Sequence, residues 1–84
     1  MRSLQSSQLR LRVVAEAEPG ALARVLERFQ NINVLPRRII AEIGINDILH
    51  IQVDVCGLAE EQLTIIAAKV SQATSVFNAY WHRV

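Results

Sequence analysis

Aromatic rings, glycine, proline, cysteine and any excess of one charge are all scarce in this chain. Nine basic residues stand against eight acidic ones, a formal charge of +1, which leaves no broad electrostatic footprint for nucleic acid or an anionic membrane. The lone cysteine, Cys56, rules out an internal disulfide. No apolar run approaches the roughly 18 residues of a bilayer-spanning helix. The opening Met1-Arg2-Ser3-Leu4-Gln5-Ser6-Ser7 lacks the apolar stretch of a signal peptide. The expectation is a cytoplasmic protein with neither nucleic acid nor membrane as partner. Aromatics are 5% of a chain that is 51% hydrophobic, so the core has to be aliphatic. A chain of 84 residues supports one core and no second domain. Residues 1–7 read as a disordered lead-in and residues 8–84 as a single domain.

What the chain does have is periodicity. From Gln8 to Glu16, Leu9, Leu11, Val13 and Ala15 alternate with Arg10, Arg12, Val14 and Glu16, the period-2 pattern of a strand with one buried face. Pro19-Gly20 then opens a helix to about Asn31, because proline suits the first helical position and Leu22, Val25, Leu26 and Phe29 fall on one stripe. Asn31 and Asn33 end it, asparagine being the non-glycine residue best able to take a left-handed cap. A second strand is expected from about Val34 to Ile43, with Pro36 arguing for an edge position or a late start near Arg37. Gly44-Ile45-Asn46-Asp47 supplies a turn, and a third strand, Ile48 to Cys56, puts Leu49, Ile51, Val53 and Val55 on one face and His50, Gln52 and Asp54 on the other. A second helix from about Ala59 to Gln72 carries the stripe Leu63, Ile66, Ala67 and Val70, with Glu60 and Glu61 favourably placed in its first turn. Thr74 to Arg83 is the fourth strand; Phe77, Ala79 and Trp81 compete with Val76, Tyr80 and Val84 for its buried face.

The order βαββαβ, with right-handed crossovers, places both helices on one face of the sheet. Inserting strand three between strands one and two, and flanking strand one with strand four, makes all neighbours antiparallel in the order 4-1-3-2. The expected fold is therefore an α+β, ferredoxin-like split βαβ sandwich with one open sheet face. That open face lacks the aromatic stacking residues of an RNA-recognition module: strand three offers Ile48, His50, Gln52 and Asp54. No paired cysteines stand near the first loop to carry a metal, and Cys56 reads as packing at a strand end. His50 and Asp54 share a face but lie roughly 13 Å apart along an extended strand, too far for a dyad. His50 and His82 would meet only if strand four had the right phase. No catalytic constellation, metal site or cofactor is expected.

Glu16 through Phe29, EAEPGALARVLERF, resembles the first-loop and first-helix signature of ACT domains, and element order and length carry the resemblance from about Leu9 to Trp81. It implies a non-enzymatic, allosteric regulatory module that forms homodimers or larger homo-oligomers and commonly binds an amino-acid effector. Among free-standing chains of this size it is most similar to the small regulatory subunit of acetohydroxyacid synthase, which would make the partner a catalytic subunit in branched-chain amino-acid synthesis. In the family, effector contacts come from the loop before the first helix and from the start of strand two of a neighbouring chain. By position these are Ala17, Glu18, Pro19, Gly20, Ala21 and Leu22, together with Leu35. Ala17 stands where the family often has Asn or Asp, and Asn33-Val34-Leu35-Pro36 replaces a Gly-Tyr-Asn-Ile run. Both side-chain amides that would grip an amino acid are thus absent, and an unpaired buried polar group costs about 1–3 kcal/mol. The backbone amides of Gly20, Ala21 and Leu22 are left to meet a carboxylate. Dimer formation does not depend on the missing amides. A free-standing amino-acid sensor is the alternative.

Overall fold

The computed structural model describes residues 8–84; the expected lead-in, residues 1–7, lies outside them. Strand β1 runs Gln8–Glu16, helix α1 Pro19–Gln30, β2 Arg38–Ile43, β3 Ile48–Cys56, helix α2 Glu60–Ser71 and β4 Val76–Arg83, with a single 3₁₀ turn, Ile45–Asp47, between β2 and β3. The sheet order is β2-β3-β1-β4 and every neighbouring pair is antiparallel, as the connectivity predicts. Alternation decides β1 and β3. Leu9, Leu11, Val13 and Ala15 and their counterparts Leu49, Ile51, Val53 and Val55 are all buried, and they meet Val25 and Phe29 of α1 and Leu63, Ile66 and Val70 of α2 in one core whose buried members are aliphatic except for Phe29.

Strand β2 begins at Arg38 rather than at Val34 and lies at the sheet edge, in line with the late start near Arg37 and the edge position that Pro36 argues for. Pro36 and the left-handed Asn33 (φ 59°) hold the intervening chain off the ladder. In β4 the two competing faces are both partly right. The register on β1 shifts between Val14, opposite Asn78, and Ala15, opposite Val76. The extra residue, Phe77, is a bulge that reverses the phase. Val76, Ala79 and Trp81 therefore pack on the core, while Phe77 and Tyr80 are exposed. Trp81 also donates its indole N–H to the Thr64 hydroxyl at 2.9 Å, and Arg83 forks onto Glu60 at 2.6 and 2.8 Å, tying β4 to α2.

Gly57 takes φ +74° between β3 and α2, and a Cβ there would meet nothing within 4 Å. Gly57→Ala is thus expected to destabilise the domain by roughly 1 kcal/mol through backbone strain alone, measurable as a lower urea midpoint with an unchanged slope.

Candidate functional site

The corner between β1 and α1 is closed by its own side chains. Glu18 is the N-cap of α1 in extended conformation, and its carboxylate accepts from the Gly20 N–H at 2.8 Å. The Ala21 N–H donates to the Glu18 carbonyl at 3.1 Å. Arg24, one helical turn on, pairs with the same carboxylate and reaches the hydroxyl of buried Ser75 at 3.3 Å. The Gly20 N–H, helped by Ser75 and the Arg24 charge, holds the Glu18 carboxyl below its ordinary range. Incoming carboxylate must displace Glu18 here. The corner is also tied to the far end of the β2–β3 hairpin, since the Ala17 N–H donates to the Asp47 carbonyl at 3.2 Å.

Leu35 sits at the opposite end of α1 and is 90% exposed. With α1 spanning roughly 18 Å, one chain does not bring Leu35 to the corner residues. Leu35 instead rims a groove of about 360 Å³ between α1 and β2, walled by Leu26, Val34, Pro36 and Ile39 with Gln30 and Asn33 at its polar side. Beside the groove runs the free edge of β2, where Ile39, Ala41 and Ile43 are exposed. Gly44 donates to the Ile48 carbonyl at 2.8 Å. By the two-residue alternation of an antiparallel ladder, the N–H groups of Glu42 and Ile40 also face β3, opposite His50 and Gln52. Those of Ile39, Ala41 and Ile43 point outward.

On the sheet face away from the helices, Asp54 is only 2% exposed. Its carboxylate takes a two-pronged contact from Arg10, at 2.7 and 3.1 Å, directly across the β1–β3 register. The Arg10 hydrogen bonds outweigh burial and hold the Asp54 carboxyl below its ordinary range. The two histidines do not meet. His50 lies opposite Val14 on β1 and His82 opposite Arg10, four residues further along, and His82 accepts from the Arg12 guanidinium at 3.1 Å. Among the described residues no three His, Cys, Asp or Glu side chains cluster to hold a metal ion, and no helix is long and apolar enough to cross a membrane.

A family model described as an ACT-like domain matches residues 2–84. The chain belongs to the ACT-like domain family. Solved structures of the same fold include the C-terminal domain of the MgtC protein from Mycobacterium tuberculosis, with TM-score 0.79 and 17% identity over 100% of this chain and 94% of that one. The ACT domain from the GTP pyrophosphokinase of Chlorobium tepidum superposes with TM-score 0.75 at 15% identity, covering 93% of this chain and 100% of that one. The regulatory subunit of aspartate kinase from Thermus flavus gives TM-score 0.70 at 14% identity over 95% of this chain and 54% of that one. No protein of curated function matches the chain by sequence.

Within this ACT-like frame, Arg24 and Ser75 are the residues that sequence reading leaves out of the corner. Ser75 arrives from the far end of the chain, and nothing in local spacing announces it. A Cβ at Gly20 would stand 2.8 Å from Nη1 of Arg24 and 3.1 Å from Oε1 of Glu18, both ends of flexible side chains. Gly20→Val should therefore expel the guanidinium and loosen the cap while leaving α1 formed. The expected reading is a Glu18 carboxyl titration, followed by NMR, that moves up toward the ordinary carboxylate value, with helical circular dichroism unchanged.

Proposed function

We propose that this ACT-like chain is a non-enzymatic regulatory module that works as a homodimer, pairing β2 with β2 of a second copy, and that it regulates a cytoplasmic enzyme of amino-acid metabolism such as acetohydroxyacid synthase. The observation that carries the reading is the self-complementary edge of β2. An antiparallel pairing about a two-fold axis at Ile40 sets Arg38 opposite Glu42 of the second copy and Glu42 opposite its Arg38, with the two Ile40 side chains meeting at the axis. The same register joins the outward-pointing N–H and C=O groups of Ile39 to those of Ala41 of the second copy. An open edge strand is an aggregation hazard, and this pairing satisfies it with opposite charges facing each other, each such cross-strand pair contributing roughly 0.2–1 kcal/mol.

The same register supports the effector reading. Running β2 of the second copy antiparallel carries its Asn33–Pro36 segment toward the hairpin end at Gly44–Asp47, where the Ala17 bond anchors the corner. Corner and Leu35, separated within one chain, would then meet across the interface. On the alternative reading, a free-standing sensor, an amino acid would bind there, its carboxylate taking the place of the Glu18 carboxylate at the Gly20 amide. Sedimentation equilibrium at micromolar concentration tests the dimer, and a monomer throughout removes it. Calorimetry against the common amino acids, beside an inhibition assay with the large synthase subunit, separates sensor from subunit: heat without any effect on the synthase favours the sensor.

A further inference from the structure

The outer surface of the helix layer carries a second furrow that neither the β2 edge nor the corner uses. Between the C-terminal half of α1 and the middle of α2 lies a groove of about 210 Å³, walled by Ile32 and Ile65 and flanked by Arg28 and Lys69. It runs on toward the N-terminus of α1 between Arg24, Arg28, Lys69 and Ala73. Ile65 stands off the α2 stripe formed by Leu63, Ile66, Ala67 and Val70, at a position where an amphipathic helix ordinarily places a polar side chain. It is 55% exposed, and Ile32, just past the end of α1, is 40% exposed. None of the residues lining either section is a carboxylate. Arg24 is committed to Glu18; Arg28 and Lys69 have no carboxylate partner among the described residues, and residues 1–7 contain no Asp or Glu. A chain of net charge +1 thus concentrates two unbalanced cations around an aliphatic floor.

From this arrangement we infer that the furrow is a docking surface for an amphipathic helical segment of a partner polypeptide, with aliphatic side chains seated between Ile32 and Ile65 and carboxylates facing Arg28 and Lys69. A small carboxylate would leave most of its surface in water against walls this exposed, whereas a helix laid along the furrow covers both sections at once. The inference rests on the regulatory reading for its biological sense, since it names the chemistry of the regulated partner. It does not require the β2 dimer.

The test is an amide chemical-shift titration of the full chain with a 16-residue helical peptide bearing Leu on one stripe and Glu on its flanks. A matched peptide with Lys for Glu and vesicles of phosphatidylglycerol complete the set. The acidic peptide should move Arg28, Ile32, Ile65 and Lys69, the Lys peptide should not, and the vesicles should not. Ile65→Ser and Lys69→Glu, both at exposed positions, should each weaken the acidic peptide at least tenfold. Absence of shifts, equal response to both peptides, or response to vesicles alone overturns the inference. Sedimentation of the same samples reads the dimer separately: peptide binding by a monomer keeps this inference and removes the β2 pairing, and a dimer blind to the peptide does the reverse.

Discussion

Stranding the Asp54 carboxylate by Arg10→Met is expected to cost about 3 kcal/mol, the penalty of an uncompensated buried charge, and to lower the melting temperature by roughly 15 °C for a domain of this size. Asp54 is 2% exposed and Arg10 supplies its two closest contacts, so removing Arg10 leaves the more distant charge of Arg38 to offset the burial. Asp54→Asn should be milder. The Arg10 side chain keeps about a fifth of its surface exposed and can carry its charge outward on its aliphatic stem. Arg10→Met with Asp54→Leu should recover most of the loss, because replacing both members of a buried pair by apolar groups is close to neutral. The pH dependence separates this account from simple loss of packing. In the native chain the Asp54 carboxyl lies below its ordinary value near 3.8, so its contribution is complete above that range and is lost as pH falls through the lower folded value. In Arg10→Met, burial without the guanidinium raises that carboxyl instead, and protonation then favours the folded state. The deficit of the variant should be largest at neutral pH and shrink on acidification; a deficit independent of pH refutes the charge explanation. Urea melts between pH 3 and pH 7 supply the measurement.

Asp54 also marks where a sequence ceases to be legible. Alternation places β1 and β3 residue by residue, because every second position is aliphatic and the helices cover only that side. The same alternation assigns Asp54 to the open, polar face, and it does lie there, yet it is buried. Its cover comes from Arg10, 44 positions away, and from the chain near β2, where the Arg37 N–H donates to the Asp54 carbonyl. Likewise the fourth strand shows two incompatible apolar patterns because a bulge at Phe77 joins one to the other, and a bulge leaves no mark in composition. At the corner, Pro19-Gly20 correctly announces a helix start. What it does not announce is that Glu18 turns back onto the Gly20 amide and that Arg24 and Ser75 lock it there. Of the amides inferred from spacing, Gly20 is thus already partnered by a carboxylate and Ala21 by the Glu18 carbonyl, so a carboxylate effector at Gly20 competes with an internal one. The β2 edge is the opposite case: Arg38-Ile39-Ile40-Ala41-Glu42 can be read as self-complementary from its letters once its register on β3 shows which N–H groups point outward.

Glu42→Arg is expected to split the proposed dimer. Under the pairing about Ile40, the two-fold axis repeats the contact, so one substitution converts two opposite-charge pairs into two like-charge pairs. With a swing of about 1 kcal/mol at each, dimerisation should weaken by about 2 kcal/mol, roughly 30-fold in dissociation constant. Glu42 lies opposite His50 and away from Asp54, so the fold of the monomer should survive, which reversing Arg38 beside Asp54 would not guarantee. Raising the salt concentration should narrow the difference between Glu42→Arg and the native chain, since both the attraction and the repulsion are screened. Ala41→Pro supplies a test that does not use charge. The Ala41 N–H points away from β3, so proline there removes no ladder bond within the chain, while it deletes one of the outward donors and places a ring in the path of the incoming strand. On the proposed pairing, both variants should sediment as monomers at concentrations where the native chain is expected to dimerise, with far-ultraviolet circular dichroism retained. If Ala41→Pro abolishes the dimer and Glu42→Arg leaves it intact, β2 pairs in a register other than the one about Ile40, and the approach of Asn33–Pro36 to the Ala17–Leu22 corner fails with it. Dimers that persist in both variants place the interface elsewhere, with the exposed Phe77 and Tyr80 of β4 as the next surface to alter.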